Sequence, residues 1–163
     1  MPITQLILTI AKTVGVPGSL LLAICTHESH LINVAVIHDN GSPSYGLCQI
    51  KEDTARSLGY RDIATGPLKD TDILPDSMIP DGEPQGLMKP EINIRYAARY
   101  LKMQIERYGE DWIKLTAAYN AGTYRESSFF QGCPKNMQYI RMVKEKLPIE
   151  EQIKLECKFE EIK

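Results

Sequence analysis

The stretch that decides the fold is Pro17-Gly18-Ser19-Leu20-Leu21-Leu22-Ala23-Ile24-Cys25-Thr26-His27-Glu28. It predicts a helix, because proline is tolerated in a first helical turn and good helix formers follow it. Nearly every face of this helix is apolar, so we expect the helix to be buried.

Glu28, at the end of that helix, is the carboxylate that stands out. We expect its side chain to be partly buried, which would favour the neutral form and raise its pKa. A general acid needs this property to hold a proton near neutral pH. From spacing alone, a solvated acid at a helix end is the competing interpretation.

Apolar residues recur at helical spacing along most of the remaining chain, which predicts a mainly α-helical fold. Glycine and proline mark the ends of these stripes. The stripes lie at 3–14, 51–58, 92–108, 112–119 and 140–147, closed by Gly15, Gly59, Gly109, Gly122 and Pro148.

Three segments depart from the helical pattern. Residues 31–50 are rich in polar and turn residues and predict a loop or short hairpin, whose last part, 45–50, we expect to line whatever faces Glu28. Residues 60–88 hold several prolines and glycines, so we interpret them as an inserted loop, acting as a lid or rim or else as a mobile loop without function. The charged tail 149–163 is predicted to be a peripheral helix or frayed.

Composition limits the class of protein. The 163 residues are 43% hydrophobic and 25% charged, which suits one globular domain over 1–163. The net charge of -2, without a run of Lys or Arg, gives no electrostatic argument for nucleic acid. The apolar stretches are shorter than the roughly 20 residues that span a bilayer, so no integral membrane segment is expected. No secretory signal is visible at the start of the sequence.

The four cysteines are widely spaced and form no CxxC pair, so we expect no zinc site. A core of this size does not need disulfides, and synthesis without a signal occurs in a reducing compartment. We therefore expect free thiols, with disulfide pairing left open. His27-Glu28-Ser29-His30 lacks the spacing of an HExxH zinc motif, so no metal ligand and no cofactor are expected.

Four ordered motifs resemble those of the soluble lytic transglycosylase (SLT) domain. They are His27-Glu28-Ser29-His30, Ser44-Tyr45-Gly46-Leu47-Cys48-Gln49-Ile50, Ala117-Ala118-Tyr119-Asn120-Ala121-Gly122 and Tyr139-Ile140. Further similar stretches are 16–24, Thr54-Ala55, 90–94 and 98–101, so the resemblance covers 3–147 outside the insertion. It implies a lysozyme-like, mainly helical fold related to goose-type lysozymes, with no cofactor.

The resemblance also implies an activity. SLT domains cleave the β-1,4 bond between N-acetylmuramic acid and N-acetylglucosamine in peptidoglycan and leave a 1,6-anhydro sugar without consuming water. Glu28 matches the sole catalytic acid and base of the family. The acetamido oxygen of the substrate replaces a protein nucleophile, which makes this a substrate-assisted reaction.

The second motif implies groove residues on the first half of the chain. Ser44 and Gln49 match polar residues near the reacting sugars. Cys48 stands where the family usually has methionine, so we expect a changed groove shape with unchanged acid chemistry.

The last two motifs imply groove residues near the carboxyl end. Tyr119 and Asn120 match the pair that lines the groove near the acid, and Tyr139 matches a tyrosine placed against the reacting sugar or Glu28. Without the resemblance, Tyr119 would be interpreted as a core residue and Asn120 as a helix-end residue.

Two other functions stay open. A lysozyme-type muramidase would hydrolyse the same bond with Asp39 or another acid, although Asp39 precedes Asn40-Gly41 and is interpreted first as a turn residue. Ser44 stands where some lysozymes have an Asp, which favours transglycosylation. The third possibility is a non-catalytic peptidoglycan-binding or virion structural module.

The expected partner is the glycan strand of peptidoglycan, bound by a monomer. Action on the bacterial wall requires a position in the periplasm or outside the cell. Because no signal is visible, a phage particle or a secretion or conjugation assembly is the expected route.

Overall fold

The computed structural model describes residues 1–39, 41–60 and 85–157. Within these residues the α-helices are α1 (Ile3–Val14), α2 (Gly18–Ser29), α3 (Glu52–Ser57), α4 (Pro90–Tyr108), α5 (Trp112–Ala121) and α6 (Met137–Lys144). The strands are β1 (Ala35–Asp39), β2 (Ser42–Tyr45) and β3 (Ile50–Lys51), and short 3-10 helices run over Gln85–Met88 and Ile149–Leu155. The prediction of a mainly helical fold with a small hairpin region is confirmed.

The chain divides into two compact units, Met1–Tyr100 and Leu101–Lys163, with the boundary inside α4. Each unit has its own buried side chains and its own disulfide. The sequence-based assignment of one domain over 1–163 stays a prediction.

The two predicted helices at the start of the chain are present and pack together in the first unit. Helix α1 ends at Gly15, whose φ of 86° is typical of a left-handed helix cap, as the sequence predicted. Helix α2 begins one residue after Pro17 and is largely buried, in agreement with its apolar sequence. Its fully buried side chains are Leu20, Leu21, Ala23, Ile24 and Cys25.

Strands β1, β2 and β3 form a three-stranded antiparallel sheet in that order. Ala35 lies opposite Tyr45, and Tyr45 lies opposite Ile50. The hairpin prediction is therefore confirmed, and the structure adds a third strand. That strand has two residues, too few for a period-two pattern to appear in the sequence.

All four cysteines are paired, so the expectation of free thiols is wrong. Cys25 pairs with Cys48 at a Cα–Cα distance of 4.2 Å, and Cys133 pairs with Cys157 at 5.6 Å. The partners are 23 and 24 residues apart in the chain. Pairing over such separations depends on how distant segments of the chain fold together, which cysteine spacing alone does not reveal.

The second unit is built on α5 and α6. Asp111 caps α5, because its Oδ1 accepts hydrogen bonds from the backbone N–H groups of Ile113 and Lys114. The tail at 149–163, predicted to be a peripheral helix or frayed, contains a 3-10 helix, Ile149–Leu155, whose Leu155 is buried. The residues after 157 lie outside the described ones, so the prediction for the whole tail stays a prediction. In the same unit the Lys154 Nζ lies 4.2 Å from the centre of the Trp112 ring.

The predicted insertion at 60–88 lies mostly outside the described residues, so its role as a lid or rim stays a prediction. At its described ends, the Tyr60 hydroxyl accepts a hydrogen bond of 2.9 Å from the Gly86 N–H. The Tyr60 ring also meets the edge of Tyr96 at a centroid distance of 5.4 Å. Among the described helices, none has the length and apolar character needed to cross a membrane.

Candidate active site

Glu28 lies in the last turn of α2 and is half-buried, which confirms the expectation of partial burial. His30 caps the end of this helix, and its N–H donates a hydrogen bond of 2.8 Å to the Thr26 carbonyl. His30 and Leu31 have φ values of 55° and 59°, a left-handed conformation that is uncommon for residues other than glycine. The chain thus turns sharply just after Glu28.

The 45–49 segment, Tyr45-Gly46-Leu47-Cys48-Gln49, packs against this end of α2. The Ser29 Oγ donates a hydrogen bond of 2.6 Å to the Leu47 carbonyl, and the Cys25–Cys48 disulfide joins the same two elements. Leu47 and Cys48 have exposed fractions of 1% and 0%. Two independent links therefore hold the segment next to the residue that follows Glu28.

Gln49 is half-buried and has a left-handed backbone, with φ of 51°. Its Nε2 donates hydrogen bonds to the carbonyl oxygens of Val34, at 3.0 Å, and Gly46, at 2.9 Å. These bonds hold the amide through its nitrogen, and the amide oxygen takes part in neither of them. An oxygen held in this way could accept a hydrogen bond from a sugar hydroxyl.

Ser44 is buried, with 1% of its surface exposed. Its Oγ donates a hydrogen bond of 2.6 Å to Oδ2 of Asp39, which is half-buried at the end of β1. The Lys51 Nζ donates to the Asp39 backbone oxygen at 2.8 Å. The hydroxyl of Ser44 therefore orients a carboxylate.

Cys48, predicted from the family motif to line the groove, is fully buried in its disulfide. Its sulfur, bonded to Cys25, joins the 45–49 segment to α2 in the protein interior.

In the second unit, Tyr119 and Asn120 lie near the end of α5 and Tyr139 lies in the first turns of α6. Asn136 joins the two helices, because its Nδ2 donates to Oδ1 of Asn120 at 2.9 Å and to the Ala117 carbonyl at 3.1 Å. Tyr119 and Tyr139 expose only 6% and 9% of their surface, whereas Asn120 is exposed. The structure thus brings Asn120 to the start of the helix that carries Tyr139.

The two histidines next to Glu28 differ in exposure. His27 is half-buried, and His30 is exposed. In the ranges 1–39, 41–60 and 85–157, no three His, Cys, Asp or Glu side chains are grouped so that they could hold a metal ion.

Sequence reasoning gave no role to Asn93 or Ser29, both of which bond the 45–49 segment. Asn93 stands in a stretch that resembles the family and is fully buried. A polar residue between Ile92 and Ile94 in an amphipathic helix was the available signal, because buried polar side chains need specific partners.

Comparisons with known proteins agree with this architecture. The family model described as the transglycosylase SLT domain matches residues 5–132. The X-ray structure of an inactive mutant of lytic transglycosylase Slt from Pseudomonas aeruginosa is similar in fold, with a TM-score of 0.52 and 20% sequence identity. The similarity covers 94% of this chain and 22% of that chain. A comparison with curated proteins found no significant match.

The structural similarity supports a lysozyme-like, mainly helical fold. The family model spans well over half of the sequence and includes the segments around Glu28, the 45–49 segment and α5. The chain belongs to the transglycosylase SLT domain family.

Proposed function

We propose that this protein is a peptidoglycan lytic transglycosylase in which Glu28 is the catalytic acid and then the base. The observation that carries the proposal is the placement of Glu28 in an SLT-family chain. Glu28 is half-buried in the last turn of a buried helix, and Ser29 anchors that turn to the 45–49 segment. A partly desolvated carboxyl group on an anchored helix end suits proton transfer in both directions.

The proposed reaction has two steps. In the first, Glu28 donates its proton to the glycosidic oxygen as the bond from that oxygen to the anomeric carbon breaks, and the acetamido oxygen of the muramic residue bonds to that carbon. In the second, the C6 hydroxyl oxygen attacks the anomeric carbon, the acetamido oxygen leaves, and Glu28 takes the hydroxyl proton. The products are a 1,6-anhydro end and a free sugar hydroxyl, and water is not consumed.

The other residues that match the family motifs are each proposed to bind the glycan strand. The Gln49 amide oxygen is the group that would meet a sugar hydroxyl, because the amide nitrogen is bonded to backbone carbonyls. The buried Ser44 would act through Asp39. The small exposed fractions of Tyr119 and Tyr139 suit contact through a ring edge or hydroxyl, and the exposed Asn120 offers an amide.

A second candidate function is hydrolysis of the same bond. The observation that favours it is the half-buried carboxylate of Asp39, oriented by the Ser44 hydroxyl, which could position a water. The sequence interpretation of Asp39 as a turn residue fits its place at the end of β1, so hydrolysis ranks second.

Reaction in heavy-oxygen water distinguishes the two functions. A transglycosylase gives 1,6-anhydro ends without heavy oxygen, whatever residue stands at position 39. A hydrolase gives reducing ends that carry one heavy oxygen, and these ends would disappear in Asp39→Asn. Release of no fragments by folded protein would instead indicate a peptidoglycan-binding module.

The two disulfides support action in an oxidising compartment, because disulfides persist outside the cytosol. This proposal replaces the expectation of free thiols in a reducing compartment. It agrees with a peptidoglycan substrate in the periplasm or outside the cell.

A further inference from the structure

Asn93 lies in the first turns of α4 and has an exposed fraction of 0%. Its Nδ2 donates hydrogen bonds to the carbonyl oxygens of Tyr45, at 2.6 Å, and Leu87, at 2.9 Å. Its Oδ1 accepts a hydrogen bond of 2.8 Å from the Cys48 N–H. The side-chain amide of Asn93 thus bonds three backbone groups, two through its nitrogen and one through its oxygen.

The backbone of the 45–49 segment lies directly on this amide. At Gly46, where φ is 78°, an added Cβ would lie 2.8 Å from the Leu87 carbonyl oxygen and 2.5 Å from Cγ of Asn93. Real Cβ atoms do not approach so closely, so the segment fits Asn93 without room to shift. The segment cannot move relative to α4 without losing hydrogen bonds in a buried site, which is costly.

The other side of the segment is bonded to the last turns of α2. Ser29, which follows Glu28, donates to the Leu47 carbonyl, and Cys48 is joined to Cys25. The 45–49 segment therefore lies between α4 and the helix end that carries Glu28. Gln49, with its left-handed φ of 51°, needs this surrounding support to keep an uncommon conformation.

We propose that Asn93 is a positioning residue of the candidate active site. It holds the 45–49 segment so that Gln49 and the end of α2, with Glu28, keep a fixed geometry, and it does not touch the substrate. This inference rests on the proposed transglycosylase function.

Asn93→Asp is the variant that tests the inference most sharply. The two side chains have nearly the same shape, and a carboxylate can still accept from the Cys48 N–H. When ionised, however, it places negative charge against the carbonyl oxygens of Tyr45 and Leu87 and has no donor for them. Protonation restores one donor, and burial favours the protonated form.

We therefore expect Asn93→Asp to lower kcat by about a hundredfold at mildly alkaline pH, because small displacements of catalytic groups have effects of this size. The KM should rise by a smaller factor than kcat falls, since Gln49 is displaced and no group that binds sugar is removed. The ratio of variant to wild-type kcat should rise again at mildly acidic pH. Ile7→Ala, in a fully buried position of α1, is the control for loss of stability alone.

Both variants are measured well below their melting temperatures, per folded molecule. Ile7→Ala should keep the wild-type kcat at every pH. If Asn93→Asp matches Ile7→Ala in kcat and in its pH profile, the positioning role is overturned.

A second measurement does not depend on catalysis. Dithiothreitol should reduce the Cys25–Cys48 disulfide faster in Asn93→Asp than in wild type, whereas reduction of Cys133–Cys157 should be unchanged. If wild-type protein releases no fragments, the proposed function has failed, and these reduction rates alone decide whether Asn93 holds the segment. Equal rates in variant and wild type would overturn the inference.

Discussion

Removing the Cys25–Cys48 disulfide tests quantitatively how much this crosslink stabilises the protein and the candidate site. The double variant Cys25→Ala/Cys48→Ala removes a crosslink between residues 23 positions apart. The chain-entropy relation for a loop of that length predicts a loss of about 3.4 kcal/mol in the free energy of unfolding. It leaves hydrogen bonds, among them those of Ser29 and Asn93, to hold the 45–49 segment.

The second disulfide provides a matched control. Cys133 and Cys157 are 24 positions apart, so removing their crosslink predicts nearly the same entropic loss of about 3.4 kcal/mol. That crosslink lies within the second unit, where it joins the loop before α6 to the residues after the 3-10 helix, and the 45–49 segment belongs to the first unit. The two double variants should therefore be alike in stability and different in activity.

The assay pairs urea denaturation with release of soluble fragments from peptidoglycan at a temperature where both variants are folded. We expect a large loss of activity without Cys25–Cys48 and nearly wild-type activity without Cys133–Cys157. Equal activities in the two variants would refute the argument that the first disulfide supports the site. A stability loss far below the calculated value would refute the loop-entropy estimate.

Three further predictions concern single residues. Gly46→Ala should lower the free energy of unfolding by about 1–3 kcal/mol, measured by denaturation, because it adds left-handed strain and a Cβ 2.8 Å from the Leu87 carbonyl oxygen; unchanged stability would contradict the close packing. Asp111→Ala should cost about 1 kcal/mol and lower the melting temperature, since the α5 cap is lost; an unchanged melting temperature would contradict the role of the cap. Burial and the negative charges of Glu126 and Asp111 raise the pKa of Tyr124 above 10.0. The unfolded chain releases this proton first, so stability should fall as pH rises from about 10 through the raised pKa, and Tyr124→Phe should remove that fall; an ultraviolet titration in which all tyrosines ionise together near pH 10 would contradict it.

The helices were predictable because their signals are local. The apolar stripe of α1 and the stop at Gly15 depend on residues a few positions apart, and so do the stripe of α4 and its stop at Gly109. The partial burial of Glu28 was predictable for the same reason, since it follows from the apolar residues of its own helix.

The supports of the site were not predictable, because they join distant parts of the chain. The Asn93 amide bonds Cys48 and Tyr45, which precede it in the chain by 45 and 48 positions, and Cys25 pairs with a cysteine 23 positions further on. The orientation of the Ser44 side chain was not predicted, for a related reason. The motif placed Ser44 near a sugar, but its hydroxyl is bonded to Asp39 in the opposite strand of a hairpin whose register no motif specifies.

The central claim is that Glu28 transfers the proton in a non-hydrolytic cleavage, and mass spectrometry of released muropeptides tests it most directly. Purified peptidoglycan is treated with wild type, Glu28→Gln and the control Glu91→Gln, which changes an exposed glutamate paired with Arg95. The account predicts 1,6-anhydro-N-acetylmuramic ends from wild type and Glu91→Gln, and their loss in correctly folded Glu28→Gln. Anhydro ends that persist in Glu28→Gln would contradict the role of Glu28, and ends that carry one added water would contradict transglycosylation.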